Sequence, residues 1–445
     1  MQKEEQPSTV PSRAKQGGEI PARWAWVEPA AWTTRMLAAL ETGGRGGRWF
    51  SLMDKVYAPE NLAAAWKRVR SNRGAAGVDG QSVARFERDA QKYLDELHRE
   101  LRDGSYRPSA VRRRWISKPG TTKKRPLGIP TVRDRIVQSA LRHVLEPIWE
   151  AKFGAQSYGF RPGRSCKDAL RRVQTLLNSG HVWVVDADIQ SYYDRIDHGR
   201  LLKEIAKEVA DSKVLGLIEA LLGQPVMEET SKWTPEEGIP QGSTVGPLMA
   251  NIYLHPVDEV LEREGFAVTR YADDLVIQCR TKQEANTALA RLSELITGVG
   301  LTLHPEKTRV TSIHRRGGFD FLGYHFEQKG RKPRKQSLVK FKDRVRELTR
   351  RLNGHSMPAI IERLNATLRG WFEYFKHSSK RTFPPLDAWI RMRLRSILLR
   401  RNKKRGVGKG LCHYTWTNGW FSAKPGLFTM TTARALASRP SKGAH

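Results

Sequence analysis

The sequence predicts an α+β protein: a region of mixed strands and helices, then a small helical region and a basic tail. Three observations carry this. From about Trp115 to Glu327, short β-branched runs alternate with helical segments. Within that stretch Phe266–Cys279 (FAVTRYADDLVIQC) reads as two strands around a tight Ala-Asp-Asp tip, an antiparallel hairpin. Beyond Leu338, apolar residues recur at spacings of three and four instead.

Taken in order, residues 1 to about 22 are polar and rich in Pro, Gly and Lys, and read as a disordered lead. Trp24, Trp26 and Trp32 then form a small packing patch before a Gly43–Gly47 loop, so 1–50 is an N-terminal extension. Ser51 to about Asp103 is mostly helical, interrupted by the glycine-rich turn Asn72–Gly80. His181–Asp188 (HVWVVDAD) is a strand with Val182, Val184, Asp186 and Asp188 on one face. Leu338, Phe341, Val345, Leu348 and Leu352 mark one amphipathic helix. Ile361, Leu364, Leu368, Trp371 and Phe375 mark a second, and Leu386, Ile390, Leu394 and Ile397 a third. The boundaries expected are 51–327 for the mixed region, 328–400 for the helices and 401–445 for the tail.

The 445 residues carry a net charge of +32. The bias is uneven, with 28 Lys/Arg against 5 Asp/Glu from Arg331 to His445. A positive field of this size points to a polyanion, above all nucleic acid. In the tail, Lys403, Lys404 and Arg405 precede Tyr414, Trp416 and Trp420, and basic residues beside aromatics can hold a backbone while bases stack. Cys166, Cys279 and Cys412 form no CxxC pair, which argues against a cysteine zinc site and a disulfide scaffold. No run of about 18 apolar residues and no apolar signal core is present, so a cytoplasmic, nucleoid-associated protein without a membrane partner is expected.

A strand ending in Asp188 and a hairpin tip carrying Asp273 and Asp274 suggest a single carboxylate site. Such carboxylates suit Mg²⁺, which takes hard oxygen ligands from one or two carboxylates and substrate phosphates. Two ions about 3.5–4 Å apart clamp the attacking and leaving oxygens of an in-line displacement. Taken alone, the same acids read equally well as surface residues of a turn.

Their surroundings decide between these readings. Tyr271-Ala272-Asp273-Asp274 resembles the YxDD box of reverse transcriptases, and Asp188–Asp194 (DIQSYYD) resembles their first carboxylate motif. Gly238–Ser243 (GIPQGS) and Gly246-Pro247-Leu248 lie between the two boxes. Arg125–Gln138 (RPLGIPTVRDRIVQ), Tyr158–Ser165 (YGFRPGRS), Leu303–Thr308 (LHPEKT), Phe319–Tyr324 (FDFLGY) and Arg369–Phe375 (RGWFEYF) resemble segments of bacterial group II intron reverse transcriptases. The resemblance covers roughly Phe50 to Lys380. It lacks the paired cysteines of the HNH endonuclease that many relatives carry, so no cutting of the second DNA strand is expected.

That resemblance implies a right-hand polymerase: fingers and a palm with an antiparallel sheet over 51–327, an α-helical thumb or maturase domain over 328–400, and a DNA-binding tail. It implies an RNA-directed DNA polymerase that uses two Mg²⁺ ions, copies its intron into DNA during retrohoming and binds that intron RNA to assist splicing. Asp188 and Asp273 would be the principal metal ligands and Asp274 an accessory carboxylate. Lys118 and Arg125 would reach the triphosphate. Tyr193, where the family usually has Phe, would exclude a 2′-hydroxyl. Gln241 and Gly242 would shape the nucleotide pocket, Lys307 would assist at the pyrophosphate, and Arg161 would touch template or nucleotide. Lys403, Lys404 and Arg405 would hold nucleic acid. Asp186 reads as a support, Asp197 as a helix cap, and Tyr192 and Cys279 as core. The partners implied are intron RNA, target DNA, primer–template and dNTPs. A domesticated free-standing reverse transcriptase in repair or defence, and a splicing-only RNA-binding cofactor, stay open as alternatives.

Overall fold

The computed structural model describes residues 22–42, 47–117, 124–314, 317–352, 354–406, 408, 410–423 and 426–437. The expected disordered lead and most of the Gly43–Gly47 loop lie outside them. The chain forms two units, the first running to Val310 and the second beginning at Thr311.

The first eight strands are β1 (Val111–Ser117), β2 (Lys124–Ile129), β3 (Trp183–Asp188), β4 (Val226–Glu228), β5 (Ser231–Trp233), β6 (Ala267–Tyr271), β7 (Asp274–Cys279) and β8 (Arg309–Ser312), the last crossing the end of the first unit at Val310. They make two four-stranded sheets, ordered β2-β1-β4-β5 and β6-β7-β3-β8. In the first, β1 and β2 pair antiparallel, while β1 and β4 run parallel with Val111 opposite Val226. In the second, β7 pairs antiparallel with β6 on one side and with β3 on the other.

Period-two alternation gives this second sheet two unlike faces. Val185, Ala187, Val268, Leu275 and Ile277 belong to the apolar core. Asp188, Asp274 and Tyr271 share the other face, because Asp188 and Tyr271 both stand opposite Asp274. The hairpin loop is only Ala272-Asp273, so Asp274 is the first residue of β7. Ala272 takes φ +60°, as the first loop residue of a two-residue hairpin can.

The helix Val132–Glu150 runs through the core, with fifteen of its nineteen residues buried. The Thr131 hydroxyl caps it, accepting from Asp134 N at 3.1 Å. Trp32, as expected of a packing patch, is 1% exposed and donates its indole N–H to the His143 carbonyl at 3.1 Å. Asp197 caps the helix His198–Ala206, accepting from Arg200 N at 2.6 Å.

The second unit holds β9 (Phe319–Phe321), β10 (Tyr324–Glu327) and β11 (Gly330–Pro333) in an antiparallel sheet ordered β11-β10-β9. The three expected helices follow as Lys335–Leu348, Met357–Phe375 and Phe383–Arg401. Their apolar stripes meet through Phe341, Val345, Leu364, Leu368, Ile390 and Leu394. Leu352 departs from the expectation: its helix ends at Leu348, and Leu352 is 79% exposed.

The boundaries also differ from those the sequence suggests. The division falls at Val310 rather than near Glu327, because β9–β11 group with the helices that follow. The described tail is not a separate domain, since Phe421, Leu427 and Met430 are buried in the same core as the three helices. Polar clamps hold it there. Asp387 accepts from Met430 N at 3.2 Å and from Thr431 N at 2.9 Å. The buried Arg395 donates to the Trp416 carbonyl at 2.8 Å.

Candidate active site

The site is assembled at one end of the second sheet. Asp188 ends β3, Asp273 occupies the adjoining hairpin loop, and Asp274 stands opposite Asp188. The Leu303–Thr308 segment docks on that strand end, with His304 N donating to the Asp188 carbonyl at 2.7 Å. This delivers Lys307, whose Nζ lies 2.8 Å from Asp188 Oδ2. Arg309 approaches Asp186 at 3.5 Å, which suits a supporting role for Asp186.

Tyr193 follows in a short 3-10 turn, Tyr192–Asp194. Its carbonyl accepts from Ile239 N at 2.7 Å, which ties it to the Gly238–Ser243 loop. The half-buried ring feels the Asp273 charge: burial first, then Asp273, pushes its phenol up to about 12. Tyr192 is buried and donates its hydroxyl to the Ala250 carbonyl.

The first sheet meets this loop along β2. Gly128 N donates to the Gln241 carbonyl at 2.7 Å, and Arg125 Nε donates to the Gln241 side-chain oxygen. Gly242 has no alternative at its position, with φ +127° and no room for a Cβ, which would stand 2.1 Å from the Gly128 oxygen. The structure thus brings together Asp188, Asp273, Asp274 and Lys307, and joins Gln241 and Gly242 to Arg125. Lys118 lies outside the described residues.

Electrostatics around the carboxylates favour a cation. Desolvation in the turn and the nearby Asp188 charge raise the Asp273 carboxyl above its ordinary value, against the pull of Arg125 and Lys307. Among the described residues, no three His, Cys, Asp or Glu side chains converge in metal-ligand geometry. The donor set fits a hard divalent cation held by one or two carboxylates and completed by substrate phosphates, rather than an all-protein cage.

Arg161 corrects an expectation. Its side chain is 2% exposed, forks onto Glu150 at 2.7 and 2.8 Å, and donates to the Gly154, Ser157 and Phe153 carbonyls. A buried guanidinium so engaged cannot face template or nucleotide. Cys279 is core, its thiol pushed up to about 11 by burial. Lys403, Lys404 and Arg405 are exposed in the turn that ends the helix Phe383–Arg401.

Sequence reading missed the group that holds the turn carrying Asp273. Arg270 sits on the core face of β6 and is 1% exposed. It meets Asp258 through Nε at 2.8 and 2.9 Å, and also through Nη2. Nη1 donates to Asn251 Oδ1 and to the Ala272 carbonyl, both at 2.9 Å, and Nη2 to the Ser157 hydroxyl at 2.8 Å. Asn251 also donates to the Gly159 carbonyl at 2.8 Å. Gly159 must be glycine, since a Cβ there would lie 2.3 Å from Ala272 N. The available signal was a lone arginine on the apolar face of a strand.

Strand-end aspartates on an antiparallel sheet, met by a basic hairpin and a glycine loop, define the palm and fingers of a polynucleotide polymerase. Residues 116–326 match the family described as Reverse transcriptase (RNA-dependent DNA polymerase), and residues 338–415 match the group II intron, maturase-specific domain. Protein YkfC of Escherichia coli (strain K12) is 32% identical over 319 residues, covering 62% of this chain and 83% of YkfC. The group II intron-encoded protein LtrA of Lactococcus lactis subsp. cremoris is 37% identical over 203 residues, covering 45% of this chain. The chain spans only a third of LtrA there, 33%. A solved Cas6-RT-Cas1–Cas2 complex aligns with TM-score 0.36 and 26% identity, over 56% of this chain and 42% of that one. The chain belongs to the group II intron family of reverse transcriptases and maturases. No helix among the described residues is long and apolar enough to cross a membrane.

Proposed function

We propose that this protein is an RNA-directed DNA polymerase that copies its group II intron RNA into DNA and also binds that RNA to assist splicing. The observation that carries the reading is the register setting Asp188 opposite Asp274, with Asp273 in the adjoining loop. Asp188 and Asp273 would hold two Mg²⁺ ions, with Asp274 as accessory. Bound there, the metal would make a primer 3′-hydroxyl nucleophilic and stabilise the departing pyrophosphate.

The chain's own residues do the rest. Arg125, which donates to the Gln241 side-chain oxygen, would meet dNTP phosphates through charge-assisted hydrogen bonds. Lys307, whose Nζ lies 2.8 Å from Asp188 Oδ2, would assist at the pyrophosphate. The Tyr193 ring excludes a 2′-hydroxyl by bulk. Lys and Arg of the second unit neutralise phosphates of intron RNA and target DNA, so affinity falls steeply with salt.

The test is primer extension on an RNA template with dNTPs and Mg²⁺, with Asp273→Asn as control. Extension that Asp273→Asn lowers by at least about a thousandfold, while intron RNA binding is retained, is the expected result. No extension by folded wild-type protein at low salt would overturn the polymerase reading in favour of a splicing-only cofactor.

A further inference from the structure

The loop that carries Gln241 and Gly242 is tied at its Gln241 end to β2, where Gly128 N donates to the Gln241 carbonyl. Its far end is held from the core. Gln138 lies inside the buried helix Val132–Glu150 and is 1% exposed. Gln138 Oε1 accepts from Thr244 N at 2.8 Å and from the Ser243 hydroxyl at 3.2 Å. The Ser243 oxygen in turn accepts from Gly246 N at 3.1 Å, where the helix Gly246–Arg263 begins. On its other side Gln138 Nε2 donates to Gln224 Oε1 at 3.4 Å. Gln224 Nε2 donates onward to the Ser109 carbonyl at 2.9 Å, two residues before β1.

The direction of this chain is fixed at both ends. A backbone N–H only donates and a carbonyl only accepts, so Thr244 faces the oxygen of one amide and Ser109 the nitrogen of the other. A buried amide costs free energy unless its bonds are made. A side chain needed only for packing would be apolar, as Val137 and Leu141 of the same helix are. We propose that Gln138 is a positioning residue for the incoming nucleotide: acting through Thr244 and Ser243, it fixes the loop that sets Gln241 and Gly242 against Arg125. The inference rests on the polymerase reading above. Without the amide, the Gln241 end stays attached to β2 while the Thr244 end is released, and the loop can shift against β2.

The test measures dNTP affinity on a primer–template ended by a dideoxynucleotide, with Mg²⁺, so that no chemistry is needed. Single-turnover extension of an ordinary primer runs alongside. Gln138→Met keeps the length and fills the space while removing both sets of bonds. Its dNTP Kd should rise about tenfold, while template–primer affinity and the extension rate at saturating dNTP stay within about threefold of wild type. Gln138→Glu supplies the rescue. When protonated, its carboxyl accepts from Thr244 and donates to Gln224 as the amide does; when ionised, it has nothing to donate. Burial favours the neutral form, and so does the Asp134 carboxylate, which Gln224 Nε2 meets at 3.4 Å. The dNTP Kd of Gln138→Glu relative to wild type should therefore lie near one at about pH 6 and climb as pH rises. A dNTP Kd for Gln138→Met within about twofold of wild type would overturn the proposal. So would a Gln138→Glu variant that matches Gln138→Met at every pH. Loss of template–primer affinity and of saturated rate in step with a fall in thermal midpoint would overturn it too, since a packing defect alone does that. Wild-type protein that binds dNTP but does not extend the primer would overturn the polymerase reading and leave the role of Gln138 standing.

Discussion

Arg270 Nη1 donates to the Ala272 carbonyl at 2.9 Å, so the residue just before Asp273 hangs from a guanidinium buried on the opposite face of the sheet. The same guanidinium is fixed by Asp258, Asn251 and Ser157. The turn carrying Asp273 is thereby positioned by the core behind it as well as by its own two-residue geometry.

Arg270→Met leaves Asp258 charged, buried and deprived of its main partner, and should cost about 3–5 kcal/mol of stability. Adding Asp258→Leu removes that charge and should recover most of the loss, while the Ala272 carbonyl stays unheld. Primer extension by the double variant should therefore remain about a hundredfold down. Urea unfolding and single-turnover extension of both variants check this. A double variant restored in both respects would reduce Arg270 to packing.

Gly242→Ala places a Cβ against the Gly128 carbonyl and pushes the loop that carries Gln241 away from β2. The KM for dNTP should rise about tenfold, with a stability loss of about 1–3 kcal/mol from the backbone conformation alone. Steady-state kinetics with calorimetry separate the two effects.

Tyr193→Ala opens the space beside the nucleotide sugar. Incorporation of ribonucleotides relative to deoxyribonucleotides should rise by at least about tenfold. Unchanged sugar selectivity in competition assays would remove Tyr193 from that role.

His143 is buried, bonds Asn61 Oδ1 at 2.8 Å, and has its imidazole lowered from 6.5 to about 4, by burial first and then by Arg68 and Arg142. The folded state keeps it neutral where the unfolded chain protonates. Its contribution is therefore full above pH 6.5 and fades as pH falls towards 4, by about 3 kcal/mol at most. Urea midpoints measured from pH 7 to 4 should fall less steeply in His143→Gln than in wild type.

Replacing Lys403, Lys404 and Arg405 with Gln should flatten the plot of log affinity for intron RNA against log salt by about 2 units of slope. Filter binding across a salt series reads it directly. An unchanged slope would mean that the run is merely solvated.

What could be read in advance was local. The hairpin around Asp273, the strand ending in Asp188 and the three helices each follow from a short pattern of apolar and polar residues. Arg270 was illegible because its partners Asp258, Asn251 and Ser157 lie 12, 19 and 113 residues away, and only the folded sheet brings them to one face. Arg161 misled because the resemblance implied a contact with template or nucleotide, while its acceptors are mostly carbonyls that carry no sequence signature. The tail misled because its charge is conspicuous, whereas Phe421, Leu427 and Met430 are too irregularly spaced to announce a shared core.

The parallel pairing of Val111 with Val226 sets a timetable for synthesis. The β1–β2 hairpin leaves the ribosome first, but the strand that pairs with its second edge follows about a hundred residues later, on the order of 10 s at ordinary elongation rates. β4 covers that edge only at Val111 and Arg112, so β1 keeps an open edge along Trp115 and Ile116, which are 48% and 51% exposed. The three arginines Arg112–Arg114 on the same strand act as charged gatekeepers against pairing with a neighbouring nascent chain. The sheet β2-β1-β4-β5 can close only after β3, bearing Asp188, has already emerged.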